Sequence, residues 1–302
     1  MENLIYSKKA LTVPEQIEFL QTNGVVIEDI SFAKSVLKNV SFYRFRQYLF
    51  PFRIKDGSNT YTLGTSFLQA WQYYCFDRRL RLCVMDAIER VEVAVKTQIV
   101  NHLALKYGVF AYCNRSVFAS SLDENKYEEL LSVIKLSVVK SKEEFVQDFY
   151  QKYGKLANLP IWMVFEIISF GNMLTLFRLL KKQDKEIIAK AFYSNAVVFE
   201  SWLAHLNYIR NICAHHARLW NRQMAVNPLI PKKDLKWHEM NFPVNERRIY
   251  STLCILKTLI DIITPQSNWK DSFYLLLQEF PMIYRIAMAI PEDFENSSIW
   301  KE

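Results

Sequence analysis

Only six glycines punctuate the 302 residues, at 24, 57, 64, 108, 154 and 171, and no two lie closer than seven positions. A loop that cradles a phosphate with backbone amides needs glycines in close succession. They stand two and then three apart in a dinucleotide fingerprint, and five apart in a P-loop. Neither spacing occurs, so both site types are excluded. With the nine prolines, glycine and proline make up 15 residues, about 5%, against roughly 12% in an average chain. That scarcity argues against an all-β fold with its many tight turns. It also leaves few hinges, so control is expected from association with a partner more than from a mobile lid.

The apolar periodicity is helical almost throughout. Thr12-Val13-Pro14-Glu15 reads as a capping box with proline in the first turn, opening a helix to about Gln21 that Gly24 ends. Short helices follow Asp29 or Ser31 and cover about Phe42–Phe50. Asp56-Gly57-Ser58-Asn59, between Phe52-Arg53-Ile54 and Tyr61-Thr62-Leu63, is the one good hairpin signal. A long helix is predicted from Phe67 to Tyr107, its core stripe running through Leu80, Val84, Ala87, Val91, Ala94 and Gln98. Asp77 with Arg81, and Glu92 with Lys96, stand four apart and read as surface pairs. Further helices are predicted over 123–139, 142–152, 160–181, 184–193, 196–221, 244–263 and 270–288. The expected organisation is all-α, with an N-terminal helical region over 1–65 packed on a helical domain over 66–302.

Residues 160–177 are apolar enough to suggest a membrane span. Glu166 lies within them, and a carboxylate at a helix centre costs roughly 2.5–3.5 kcal/mol on insertion scales. A buried helix is therefore expected, with no membrane partner. The N-terminus MENLIYSKKA lacks an apolar signal core, so a cytoplasmic protein is expected. Five scattered cysteines without a CxxC fit a reducing compartment and no thiolate metal site. The net charge of +7 permits a polyanionic partner.

Residues 207–222, NYIRNICAHHARLWNR, hold two of the five histidines beside three arginines and three asparagines. On a helix at 100° per residue, Trp202, Leu206, Ile209, Cys213, Ala217 and Trp220 fall within about 80° as an apolar stripe. Asn207, Asn211, His215, Arg218 and Arg222 gather on the opposite side. His216 lies toward the apolar border, where a hydrogen-bonded structural role is as good a reading as a chemical one. Arg210 stands about 140° from His215. One helix does not easily bring both to the same atom, whereas two copies facing across a two-fold could. Histidine can move protons near neutral pH and arginine can hold a phosphate bidentately. No carboxylate lies on the stripe, so no Mg²⁺ site is expected, and no other metal or cofactor. The set suits metal-independent RNA cleavage by attack of a 2′-hydroxyl on its own phosphate. A solvated helix face is the plain alternative.

Arg210-Asn211-x3-His215-His216, followed by Arg218-Leu219-Trp220-Asn221-Arg222, resembles the bacterial abortive-infection Abi proteins of the AbiD/AbiF type. So do, in the same order, Tyr6-Ser7-Lys8-Lys9, Gly24, Ser41-Phe42-Tyr43-Arg44 with Tyr48, Phe76-Asp77-x2-Leu80-Arg81, Ile88-Glu89-x2-Glu92 and Trp162-x3-Glu166-x3-Phe170-Gly171. The resemblance covers roughly residues 5–225. It implies a HEPN-type helical bundle, an R-x4–6-H ribonuclease motif and a homodimer with a composite cleft. Carried over, it makes Arg210 and His215 catalytic, with Asn211 beside them and His216 as the alternative motif histidine. It also implies phage defence by growth arrest, RNA as substrate and a small regulatory RNA as partner; no DNA partner is expected. The alternative is a non-catalytic RNA- or protein-binding module using the same basic face.

Arg44 and Arg46, interleaved with Tyr43 and Phe45, could contact RNA. The plainer reading is a core stripe of Phe42, Phe45 and Leu49 with solvated arginines, and it is preferred. Arg78, Arg79 and Arg81 form a second basic cluster read as surface. Isolated His102, His205 and His238 receive no role.

Overall fold

The computed structural model describes residues 9–56, 58–155 and 157–301. Tyr6, Ser7 and Lys8 of the family resemblance, and Gly57 of the hairpin signal, lie outside the described residues. Among those described there are twelve α-helices and no strand longer than an isolated bridge. In chain order the helices are α1 (Val13–Thr22), α2 (Ile30–Asn39), α3 (Phe42–Leu49), α4 (Phe67–Tyr107), α5 (Glu124–Lys140) and α6 (Glu144–Tyr153), then α7 (Ile161–Ile167), α8 (Phe170–Leu179), α9 (Lys182–Lys190), α10 (Ala196–Ala214), α11 (Ile249–Ile263) and α12 (Trp269–Glu279). The all-α reading holds. No described helix is long and apolar enough to cross a membrane.

The chain divides into two compact units, one of residues 1–80 and 275–283, the other of 81–274 and 284–302. In the first, the predicted capping box is present: the Thr12 hydroxyl accepts from the Glu15 amide and the Glu15 carboxylate accepts from the Thr12 amide. Gly24 ends α1 at φ +91°, where a Cβ would also press on the Tyr61 carbonyl oxygen at 3.4 Å. Phe45 stacks on Phe67 with ring centroids 4.3 Å apart, and Tyr48 donates to buried Asp77 at 2.6 Å. The 52–63 turn closes with one antiparallel bridge, Arg53 to Tyr61, rather than a ladder. Asp77 and Arg81, expected at the surface, are both buried.

In the second unit α11 is buried nearly all round, from Ile249 to Ile260, as a central helix must be. α10 packs on α8 and α9. Asp184 at the start of α9 has no exposed surface, and it accepts from His102, Lys106 and Tyr107 of α4 at 2.7, 2.6 and 2.8 Å. Burial works against its charge. The bonds from Lys106, His102 and Tyr107 together outweigh that and hold its carboxyl below the usual carboxylate range. His102, which the sequence left without a role, thus ties α4 to α9.

The single helix predicted over 160–181 is two. Ile168 is extended at ψ 143°. Ser169 then caps α8 by accepting the Asn172 amide at 3.2 Å, while Lys96 of α4 donates to the freed Ile168 carbonyl at 2.8 Å. A serine that caps in place of the helix ladder, and a lysine that takes up the orphaned acceptor, are what permit a break without proline.

Candidate functional site

α10 buries Trp202, Leu206, Ile209 and Cys213, the predicted apolar stripe. Its end is not as predicted, because the helix stops at Ala214, seven residues before the expected 221. His216 adopts φ +55°, its amide bonds to the Cys213 carbonyl at 3.0 Å, and the Ala217 amide reaches back to Ile212 at 3.0 Å. That pair of bonds is a Schellman turn, whose left-handed position glycine usually takes. A histidine there costs on the order of 1 kcal/mol. Leu219 and Trp220 then plug into the core, 0% and 1% exposed, and fix the returning strand of chain.

The turn sets the exposure of the motif. Asn211, His215 and His216 are exposed, while Asn207 and Arg210 are half-buried on the helix. Asn211 and His215 remain one turn apart, since the His215 amide still bonds to the Asn211 carbonyl at 3.0 Å. Arg210 keeps its offset of about 140° from His215, because the helix is intact between them. Arg218 and Arg222 are not on the helix, so their place on its polar stripe is corrected. Both are half-buried in the chain that follows the turn. There the Arg222 Nε donates to the Arg218 carbonyl at 2.7 Å.

Two residues read as surface take part. Arg81 of α4 is 6% exposed and donates to the Ala217 carbonyl at 3.4 Å, just behind the two histidines. Its burial was legible, since Asp77, Arg81, Val84 and Ile88 repeat at four, three and four. Lys96 pairs with Glu92 at 3.0 Å and holds the α7–α8 break. That break places Gly171 against Asn207, where a Cβ on the glycine would sit 3.7 Å from the Asn207 amide oxygen. Glu92 and Phe170-Gly171 of the family resemblance, and Asn207 of the polar stripe, are therefore linked through Lys96 and Ile168.

Arg44 and Arg46 lie on α3, in the first unit. The Arg46 guanidinium stacks over the rings of Phe19 and Phe42 at 4.9 and 5.5 Å. It is held on aromatic rings rather than solvated. Phe45 and Leu49 are buried, but Phe42 only half so.

His205 is the buried counterexample on the same helix. Its Nδ1 donates to the Val226 carbonyl at 2.6 Å, so its Nε2 accepts from the Thr252 hydroxyl at 2.7 Å. Burial lowers its pKa to about 4, against the smaller raising effect of the Val226 bond. It is a neutral structural histidine. Among the described residues no group of three or more His, Cys, Asp or Glu could hold a metal ion.

No match was found among curated proteins or among solved structures. The family model described as Abi-like protein matches residues 35–221, more than half of the chain, from α2 to the end of the segment that carries the motif. On that match the chain belongs to the Abi-like protein family.

Proposed function

We propose that the protein is a metal-independent endoribonuclease that acts in phage defence. In this reading it is a HEPN-type homodimer, and a bound small RNA restrains it. Family membership points to abortive infection. The observation that carries the finer reading is the end of α10. Half-buried Arg210 and exposed Asn211 lie in the last turns of α10, and exposed His215 and His216 lie in the turn that ends it, which is held by the helix on one side and two buried side chains on the other.

In the proposed reaction His215 takes the proton from a ribose 2′-hydroxyl. The 2′-oxygen attacks the adjacent phosphorus, the bond to the 5′-oxygen breaks, and that oxygen is protonated as it leaves. The products are a 2′,3′-cyclic phosphate and a 5′-hydroxyl. Arg210 holds the scissile phosphate, Asn211 positions it, and His216 is the second candidate for proton transfer. A helix C-terminus opposes a bound anion by roughly 0.3–1 kcal/mol. A charge-assisted bond from arginine contributes roughly 1.5–3 kcal/mol. Arginine therefore wins, and Arg218 and Arg222 beyond the turn extend the favourable field along an RNA backbone together with Asn207. The contribution of Arg44 and Arg46 to RNA binding is a separate part of the proposal.

Purified protein incubated with total RNA in EDTA tests the reading. Cleavage leaving 2′,3′-cyclic ends is expected. Tight binding with intact RNA would instead establish a binding module.

A further inference from the structure

The opposite end of α10 carries a second constellation, independent of the ribonuclease reading. α9 also ends in a Schellman turn: the Tyr193 amide bonds to the Lys190 carbonyl at 3.0 Å and the Ser194 amide to Ala189 at 3.1 Å. Tyr193 occupies the glycine position at φ +49°. A tyrosine in that conformation is strained. The two hydrogen bonds of the turn offset that strain and fix the residue in place. Tyr193 is 88% exposed, with no side-chain hydrogen-bond or ring partner among the described residues, so its ring is free to stack on a ligand.

The ring stands at a cavity of about 970 Å³ in the second unit, within the span of small-molecule sites. The cavity runs between the start of α10, the end of α11 and the chain around 229–237. Lys232 and Lys233 line it and are exposed, and neither forms an ion pair among the described residues. The first amides of α10 are taken, Ala196 by Glu186 and Val197 and Val198 by Asn195, so an anion here must be held by the lysines. Asp261 lines the same space with one carboxylate oxygen on Lys257, and the Thr258 hydroxyl is buried without a partner.

A flat face, two uncommitted cations and a carboxylate that can accept from hydroxyls define one ligand chemistry. We infer that this cavity binds a nucleoside phosphate, free or as the terminal nucleotide of an RNA. The base stacks on Tyr193, the phosphate meets Lys232 and Lys233, and the sugar hydroxyls donate to Asp261. α10 spans roughly 28 Å, so the ligand touches none of the motif residues.

Titration of the full chain by calorimetry tests the inference, with AMP, GMP, CMP and UMP, a 5′-phosphorylated hexaribonucleotide, the four nucleosides and inorganic phosphate. Saturable binding of at least one nucleotide or of the hexanucleotide is expected, with at least tenfold weaker binding of nucleosides and of inorganic phosphate. A free nucleotide that binds identifies the free source, and binding of the hexanucleotide alone identifies an RNA end. Lys232→Glu with Lys233→Glu should weaken binding tenfold or more. Tyr193→Gly should do the same while raising the melting temperature by roughly 1–3 °C, because it relieves the left-handed strain. No saturation by any probe up to about 10 mM, or binding indifferent to these variants, would overturn the inference.

Discussion

His205 lies buried within α10 and His215 caps its end in solvent, and the difference in surroundings decides what each can do. His205 has no exposed surface, and its burial holds its pKa near 4, below roughly 6.5 in an unfolded chain. Between those values the unfolded chain binds the proton and the folded one does not, so acidification favours unfolding. Stability from this residue is complete above about pH 6.5 and falls by up to about 3 kcal/mol as pH drops to 4. Urea denaturation at pH 7, 6 and 5 should show that slope in the wild type and a flatter one in His205→Gln. A slope unchanged by the substitution would mean that another group titrates there. Asp184 does not confuse this window: its carboxyl is held below the ordinary value, so its contribution is lost only on further acidification, through its folded pKa. The isolated spacing of His205 gave no hint of a role, because its partners Val226 and Thr252 are brought to it by chain far along the sequence.

The helices themselves were largely legible, because their signals are local. Thr12 with Glu15, and Asp29, mark helix starts by side-chain chemistry within one turn, and the run from Phe67 to Tyr107 is legible as one helix because nothing in it breaks the periodicity. The ends of α7 and α10 were not. One depends on Lys96 reaching across to Ile168, the other on burial of Leu219 and Trp220 pulling the chain off the helix axis. Such tertiary terms outweigh propensities of a few tenths of a kcal/mol per residue. Two consequences can be measured. Ser169→Ala removes the α8 cap and should cost about 1 kcal/mol. Gly171→Ala should stabilise by about 0.5–1 kcal/mol, since its φ is ordinary and the new methyl meets Asn207 at van der Waals distance. Chemical denaturation checks both, and a destabilised Gly171→Ala would show that Asn207 has no room to yield.

At the scale of the whole molecule, the shortage of glycine now has a specific meaning. The proposed phosphate contacts therefore rest on side chains rather than on a backbone cradle: Arg210 of α10 with Arg218 and Arg222 beyond its end at one site, Lys232 and Lys233 at the other. Beside each, just outside an end of α10, a left-handed residue, His216 or Tyr193, stands where glycine would be the unstrained choice. The angular separation of Arg210 and His215 makes the proposed site composite, and that has a direct signature. Arg210→Ala and His215→Ala should each be inactive alone, and a mixture allowed to exchange subunits should regain roughly a quarter of wild-type cleavage. Half the dimers are then mixed, each with one of its two sites complete. No recovery on mixing would place Arg210 and His215 of a single chain at each site. The R-x4-H spacing was visible in the sequence. The exposure of His215 and the support of Arg81 behind it became visible only once the chain was folded.

The most direct measurement is the cleavage rate of His215→Ala on RNA in EDTA, with helix content followed in parallel. General acid–base catalysis contributes roughly 10²- to 10⁴-fold, and His215 lies on an exposed cap where truncation leaves no core cavity. The variant should therefore keep wild-type helix content and lose at least 100-fold in rate, with no 2′,3′-cyclic ends above background. A folded His215→Ala protein that cleaves as fast as the wild type would contradict the account.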